Sequence, residues 1–109
     1  MIVQWFVSPH EAERITAALH ALMVAARSEP GYVCCSLSTE MGQRAGLRYV
    51  EEWNGEVHLQ RQLRSTRFVR LAELIERAVE RPVVEFALPG GVRGLDYVEE
   101  VRGTAKDSA

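Results

Sequence analysis

The chain has 109 residues, 47% of them apolar and 26% charged, with a formal net charge of −2. That length fits one domain burying roughly two thirds of its unfolded surface, and the near-neutral balance excludes a general electrostatic pull toward nucleic acid or an anionic membrane. The longest apolar run, at the start of the chain, is too short to span a bilayer, and "MIVQWFVSPHEAER" carries no signal-peptide pattern, so the expected location is cytoplasmic.

The opening "MIVQWFV" is aromatic and β-branched and predicts a strand. "SPHE" predicts a helix start, with Ser8 as N-cap, Pro9 in the first helical position and Glu11 closing a capping box. Ala12, Ile15, Leu19, Leu22, Met23 and Ala26 recur at helical spacing until Pro30–Gly31 stops the helix near residue 28. "YVCCSLSTE", a Gly-bearing turn and "LRYVEEW" predict a hairpin over residues 32–53. The adjacent Cys34 and Cys35 point to opposite faces of such a strand, which disfavours a disulfide, and no His/Cys spacing suggests a metal site. Asn54 is the expected N-cap of a second helical region, whose apolar face begins at Leu59 and Leu63. Ser65 divides that region by capping a further helix. Pro82 ends it, "VVEFAL" predicts a fourth strand and "GLDYVEEV" a fifth, with residues 104–109 frayed.

The order β-α-β-β-α-β predicts an α+β, ferredoxin-like fold: an antiparallel sheet with two helices on one face, plus a C-terminal extra strand. The first and fourth strands are apolar on both faces, interrupted only by Gln4 and Glu85. The helices cover one face, so a second copy packed sheet to sheet is the expected cover for the other, giving a homodimer. "LRYVEEWNG" at 47–55 returns as "LDYVEEVRG" at 95–103. The ferredoxin-like pseudo-repeat would instead match the third strand to the first. The expectation is therefore two strands of similar alternation, the second within a C-terminal segment, 89–103, that pairs with the partner's sheet edge.

Over residues 1–88, Glu29-Pro30-Gly31, Glu51-Glu52-Trp53, Leu59, Leu63, Ser65 and Phe68 occur in the order and at the spacing of a known family. The chain resembles the antibiotic biosynthesis monooxygenase domain of the dimeric α+β barrel superfamily. The resemblance implies a small dimer with an apolar pocket in each subunit. Several relatives oxygenate phenols or quinols in such pockets with no flavin, haem or metal, so the implied cofactor is none. Two departures bear on activity: many members carry His where this chain has Gln62, and His again where it has Arg67. Gln hydrogen-bonds but is no general base, and Arg stabilises an anion but stays protonated. The Trp, His and Asn of haem-degrading relatives are unmatched at Gln62, near Ala72 and near Gln4, so haem cleavage is not expected.

The candidate catalytic residues are Glu51, as a base toward a phenol, and Gln62 and Arg67, which would orient or stabilise its anion. Tyr49 and Trp53 are the candidate stacking residues for a substrate, with His58 at the pocket mouth and Phe68 beside it. Structural alternatives stand next to each: Glu51 as a solvated or Arg-paired carboxylate, Trp53 as a core or interface anchor, His58 as a surface residue. The expected function is cofactor-free oxygenation of a small aromatic phenol or quinol. The alternatives are a non-catalytic dimeric binding protein, or an oxygen-independent cyclase, decarboxylase or isomerase.

Overall fold

The computed structural model describes residues 1–107. Strand β1 (Ile2–Val7) alternates as its sequence requires, burying Val3, Trp5 and Val7 and turning Gln4 and Phe6 outward. Helix α1 (Pro9–Ala26) buries Ala12, Ile15, Leu19, Leu22 and Ala26 along one stripe. Ser8 is its N-cap, but the expected capping box does not form: the Ser8 side chain makes no cap bond. The Glu11 carboxylate pairs instead with Arg14 and Arg77, and the Ser8 carbonyl accepts the Glu11 amide at 3.0 Å.

The expected hairpin is β2 (Tyr32–Met41) and β3 (Ala45–Trp53), antiparallel, with a register shift between Tyr32 and Cys34. Helix α2 (Glu56–Leu63) starts after Gly55 at φ 94°, so the N-cap is Gly55 and not Asn54; a positive φ suits Gly and would strain Asn. Helix α3 (Thr66–Ile75) is capped as expected, Ser65 Oγ accepting the Phe68 amide at 3.2 Å. Strand β4 (Val83–Leu88) matches the expected segment.

The five strands run in the order β2-β3-β1-β4-β5, every pair antiparallel. A single core lies between the sheet's inner face and the helices, centred on Val3, Trp5, Tyr49, Leu19, Leu71 and Phe86. On the outer face Phe6 and Val83 are 38% and 50% exposed.

The C-terminal segment departs from expectation. The extra strand is only β5 (Gly91–Arg93), which pairs with β4 of the same chain. Residues expected as strand at 95–103 belong to helix α4 (Leu95–Asp107). The tail expected to fray from 104 is helical through Asp107, and residues 108–109 lie outside the described residues. Tyr97, Val98 and Val101 are buried, a helical stripe that packs on the core; the Tyr97 and Phe86 rings lie 5.3 Å apart. Polar contacts fix the helix against α2: Tyr97 Oη donates to Glu56 at 2.8 Å, and Arg102 Nη1 to the Leu63 carbonyl at 2.7 Å. The segment thus extends the cover of its own chain's inner face.

Candidate functional site

Alternation along β3 places Tyr49, Glu51 and Trp53 on the inner face of the sheet. The Ser65 cap starts α3 so that its first turn carries Arg67 down onto them. The result is one buried cluster. Glu51 Oε2 accepts from the Tyr49 hydroxyl and from Arg67 Nη2, while Glu51 Oε1 accepts the Trp53 indole N–H at 3.1 Å. Arg67 Nε donates to the Leu22 carbonyl at 3.2 Å, and its guanidinium lies 5.7 Å from the Trp53 ring centroid. The side chains of Arg67 and Glu51 are 8% and 2% exposed. Two opposite charges removed from water survive because each is paired and further hydrogen-bonded.

Burial, then the Glu51 carboxylate beside it, hold the Tyr49 phenol well above its ordinary range, so it remains a neutral donor. Cys35, opposite Glu51 in the register, is also raised, by burial and then by the Glu51 charge. Cys34 donates its thiol to Glu52 at 3.2 Å, and that bond raises it. Neither cysteine is in a disulfide.

A cleft of about 440 Å³ opens where the end of β3 meets the start of α2 and the β4–β5 turn. Its apolar wall includes Ile2, Val50, Leu59, Leu88 and Pro89, and Trp53 stands at its edge. The other side chains with polar groups on its wall are carboxylates: Glu51, Glu52 and Glu56. A space of this size and character suits one small aromatic molecule.

Four of the seven candidate residues therefore meet: Tyr49, Glu51, Trp53 and Arg67. The other three do not join their hydrogen-bond network. His58 packs over Gly31, so closely that a Cβ at that glycine would lie 2.2 Å from the imidazole, and so braces the α1–β2 turn. Phe68 is a core residue, 7% exposed. Gln62 is 2% exposed on the buried stripe of α2, and its Oε1 has no hydrogen-bond partner among the described residues. Sequence reasoning missed Glu56 and the Leu88–Pro89 wall of the cleft. It also missed Tyr97, which binds Glu56; the i, i+1, i+4 spacing of Tyr97, Val98 and Val101 was the available signal.

Both Glu51 oxygens are engaged and the carboxylate is 2% exposed, so a ligand's proton reaches it only with local rearrangement of the cluster. The guanidinium of Arg67 is likewise engaged by Glu51 and the Leu22 carbonyl, so it offers a ligand a nearby positive charge and not a direct clamp. Among the described residues no group of His, Cys, Asp and Glu is arranged to hold a metal ion.

No protein-family model matches the chain, and no curated protein sequence does. Among solved structures it is similar to the crystal structure of an antibiotic biosynthesis monooxygenase, with a TM-score of 0.54 and 21% sequence identity. The match covers 74% of this chain and 86% of that one. This chain shares that protein's fold. The likeness agrees with the α+β, ferredoxin-like arrangement of sheet and helices; at this identity it carries the architecture and not the chemistry. No helix among the described residues is long and apolar enough to cross a membrane.

Proposed function

We propose that the chain acts as a homodimer that binds a small aromatic phenol or quinol in the cleft beside Trp53 and oxygenates it without a cofactor. The observation that carries this reading is that Trp53 and Glu51, the latter buried and paired with Arg67, both line a cleft of ligand size. The class of reaction is borrowed by analogy from the monooxygenase whose fold the chain shares. In this reading Trp53 stacks on the ring. Glu51 takes the ring's acidic proton as the Trp53 or Tyr49 donor shifts away, and the Arg67 charge steadies the anion that forms. An electron-rich anion of this kind gives one electron to dioxygen, and the two radicals join as a peroxide. The keto tautomer of such a ring carries a CH2, and loss of water from the peroxide completes the balance: that CH2 and O2 become a ring C=O and H2O.

Oxygen uptake by metal-stripped, flavin-free protein on hydroquinones, naphthols and anthrones tests this against no-protein blanks. Uptake proportional to protein that falls at least tenfold in Trp53→Phe or Glu51→Gln is the expected result. A flat response from a folded protein would rule the reaction out for that panel. The burial of Glu51 among three donors favours a second reading, a non-catalytic binding protein, under which the same compounds raise the melting temperature but none is consumed. Consumption of a ligand without oxygen uptake would point to oxygen-independent chemistry in the same cleft.

A further inference from the structure

The outer face of the sheet carries two charges that its own chain leaves unanswered. The ladders set Arg48 of β3 opposite Gln4 of β1, and Gln4 opposite Val83 of β4; Glu85 stands opposite Ile2, two residues further along. Alternation puts Gln4, Arg48 and Glu85 on the same face as Phe6 and Val83. Arg48 and Glu85 are both exposed, and among the described residues no ion pair or side-chain hydrogen bond engages either. Strand spacing puts their Cα atoms about 12 Å apart, with Ile2 and Gln4 between them. Other charges of this face differ. Arg44 pairs with Glu80 and lies 4.2 Å from the Phe6 ring centroid, Glu52 accepts the Cys34 thiol, and Glu40 stands on the edge strand β2.

We propose that the occupant of this face is a second copy, held in one register by Arg48 of each subunit pairing with Glu85 of the partner subunit. Two facing sheets related by a two-fold axis need that axis in the plane between them. Placed over β1 between Ile2 and Gln4, the axis carries Arg48 onto Glu85 and Glu85 onto Arg48, so one complementary pair is made twice. A face with one central charge of each sign complements itself, whereas a wholly acidic or wholly basic partner meets one of the two as a like charge. The same contact covers the exposed Phe6 and Val83, which with Arg48 and Gln4 form part of the wall of a hollow of about 480 Å³. This deepens the reading above and rests on its homodimer: apolar burial favours association, and the two charge pairs fix its geometry.

Reciprocal charge reversal, followed by sedimentation at low salt, tests the register. Arg48→Glu sets carboxylate against carboxylate at both contacts, and Glu85→Arg sets guanidinium against guanidinium. Each variant should dimerise at least about tenfold more weakly than the parent. Arg48→Glu and Glu85→Arg in one chain restore both pairs and should return the affinity to within about threefold of the parent. Mixed together, the two single variants should form a heterodimer tighter than either homodimer, because every contact then joins opposite signs. Circular dichroism should be unchanged throughout, since both positions are exposed. Dimers that ignore both reversals, or a double reversal as weak as the singles, would overturn the charge register and leave the homodimer standing. A parent that stays monomeric would overturn both.

Discussion

Glu51 and Arg67 are each costly in a protein interior alone, and each is tolerated because of the other. Arg67→Ala would leave a 2% exposed carboxylate without its counter-charge; the expected loss is about 3–5 kcal/mol. The paired change Glu51→Leu with Arg67→Met removes both charges and is expected to cost under about 2 kcal/mol. Urea unfolding of the single and double variants measures the difference, and a single variant within about 1 kcal/mol of the parent would mean water screens the pair. Tyr49 sets a pH limit on the same cluster. Its phenol is raised from an ordinary 10.0, so the folded chain holds that proton more tightly than the unfolded one. The stability this provides is complete below that ordinary value and is lost as pH rises from it toward the folded value. Tyr49→Phe, less stable at pH 7, should therefore lose less stability than the parent between pH 9 and 11 in thermal melts. A parallel decline in both proteins would assign the alkaline loss elsewhere. The sequence placed Tyr49, Glu51 and Trp53 on one face by alternation alone, but could not say that the Arg in a run of surface arginines nearest to them was buried.

At the level of elements, one string adopts two structures. "LRYVEEW" lies in β3 and buries alternate residues, Leu47, Tyr49 and Glu51. "LDYVEEV" lies in α4 and buries Tyr97, Val98 and Val101. Strand propensity is a weak preference that packing overrides. The second copy follows a short β5 that already ends the sheet, and the apolar surface still open to it is the core around Phe86. A substitution series separates the two conformations directly. Val98→Ala and Val101→Ala should each cost about 1–3 kcal/mol, since both positions are buried, whereas Glu99→Ala should be within about 0.5 kcal/mol. A strand would set Val98 opposite Val101 and group Val101 with Glu99. Equal tolerance of Val98→Ala and Glu99→Ala in chemical denaturation would argue against the helical packing.

For the molecule as a whole, the helices cover one face of the sheet and leave Phe6 and Val83 exposed on the other, among Gln4, Arg48 and Glu85. We propose that a second copy covers this face, as the apolar alternation of β1 and β4 led us to expect. Light scattering should then report twice the 12.3 kDa chain mass. Phe6→Glu should yield the monomer with its circular dichroism intact, and the melting temperature of the parent should rise with concentration. A parent that stays monomeric at high concentration would remove the homodimer from the proposed function. Dimer formation does not require the C-terminal segment to reach a partner's edge, because α4 packs on its own subunit.

The sequence by itself determined the period of β1, α1, β3 and β4, the break at Ser65 and the order of elements up to β4. In those segments the apolar spacing fits one conformation, and the caps or prolines that end them act over a few residues. It also determined which side chains share a face. Tertiary structure alone decided the rest. "LDYVEEV" satisfies helix and strand periods about equally, so the surface available to it chose the helix. Glu51 and Arg67 stand sixteen residues apart, and only the docking of α3 on the sheet made them a pair. The empty acceptor of Gln62 is likewise invisible in sequence, because a missing partner is a property of the space around a side chain.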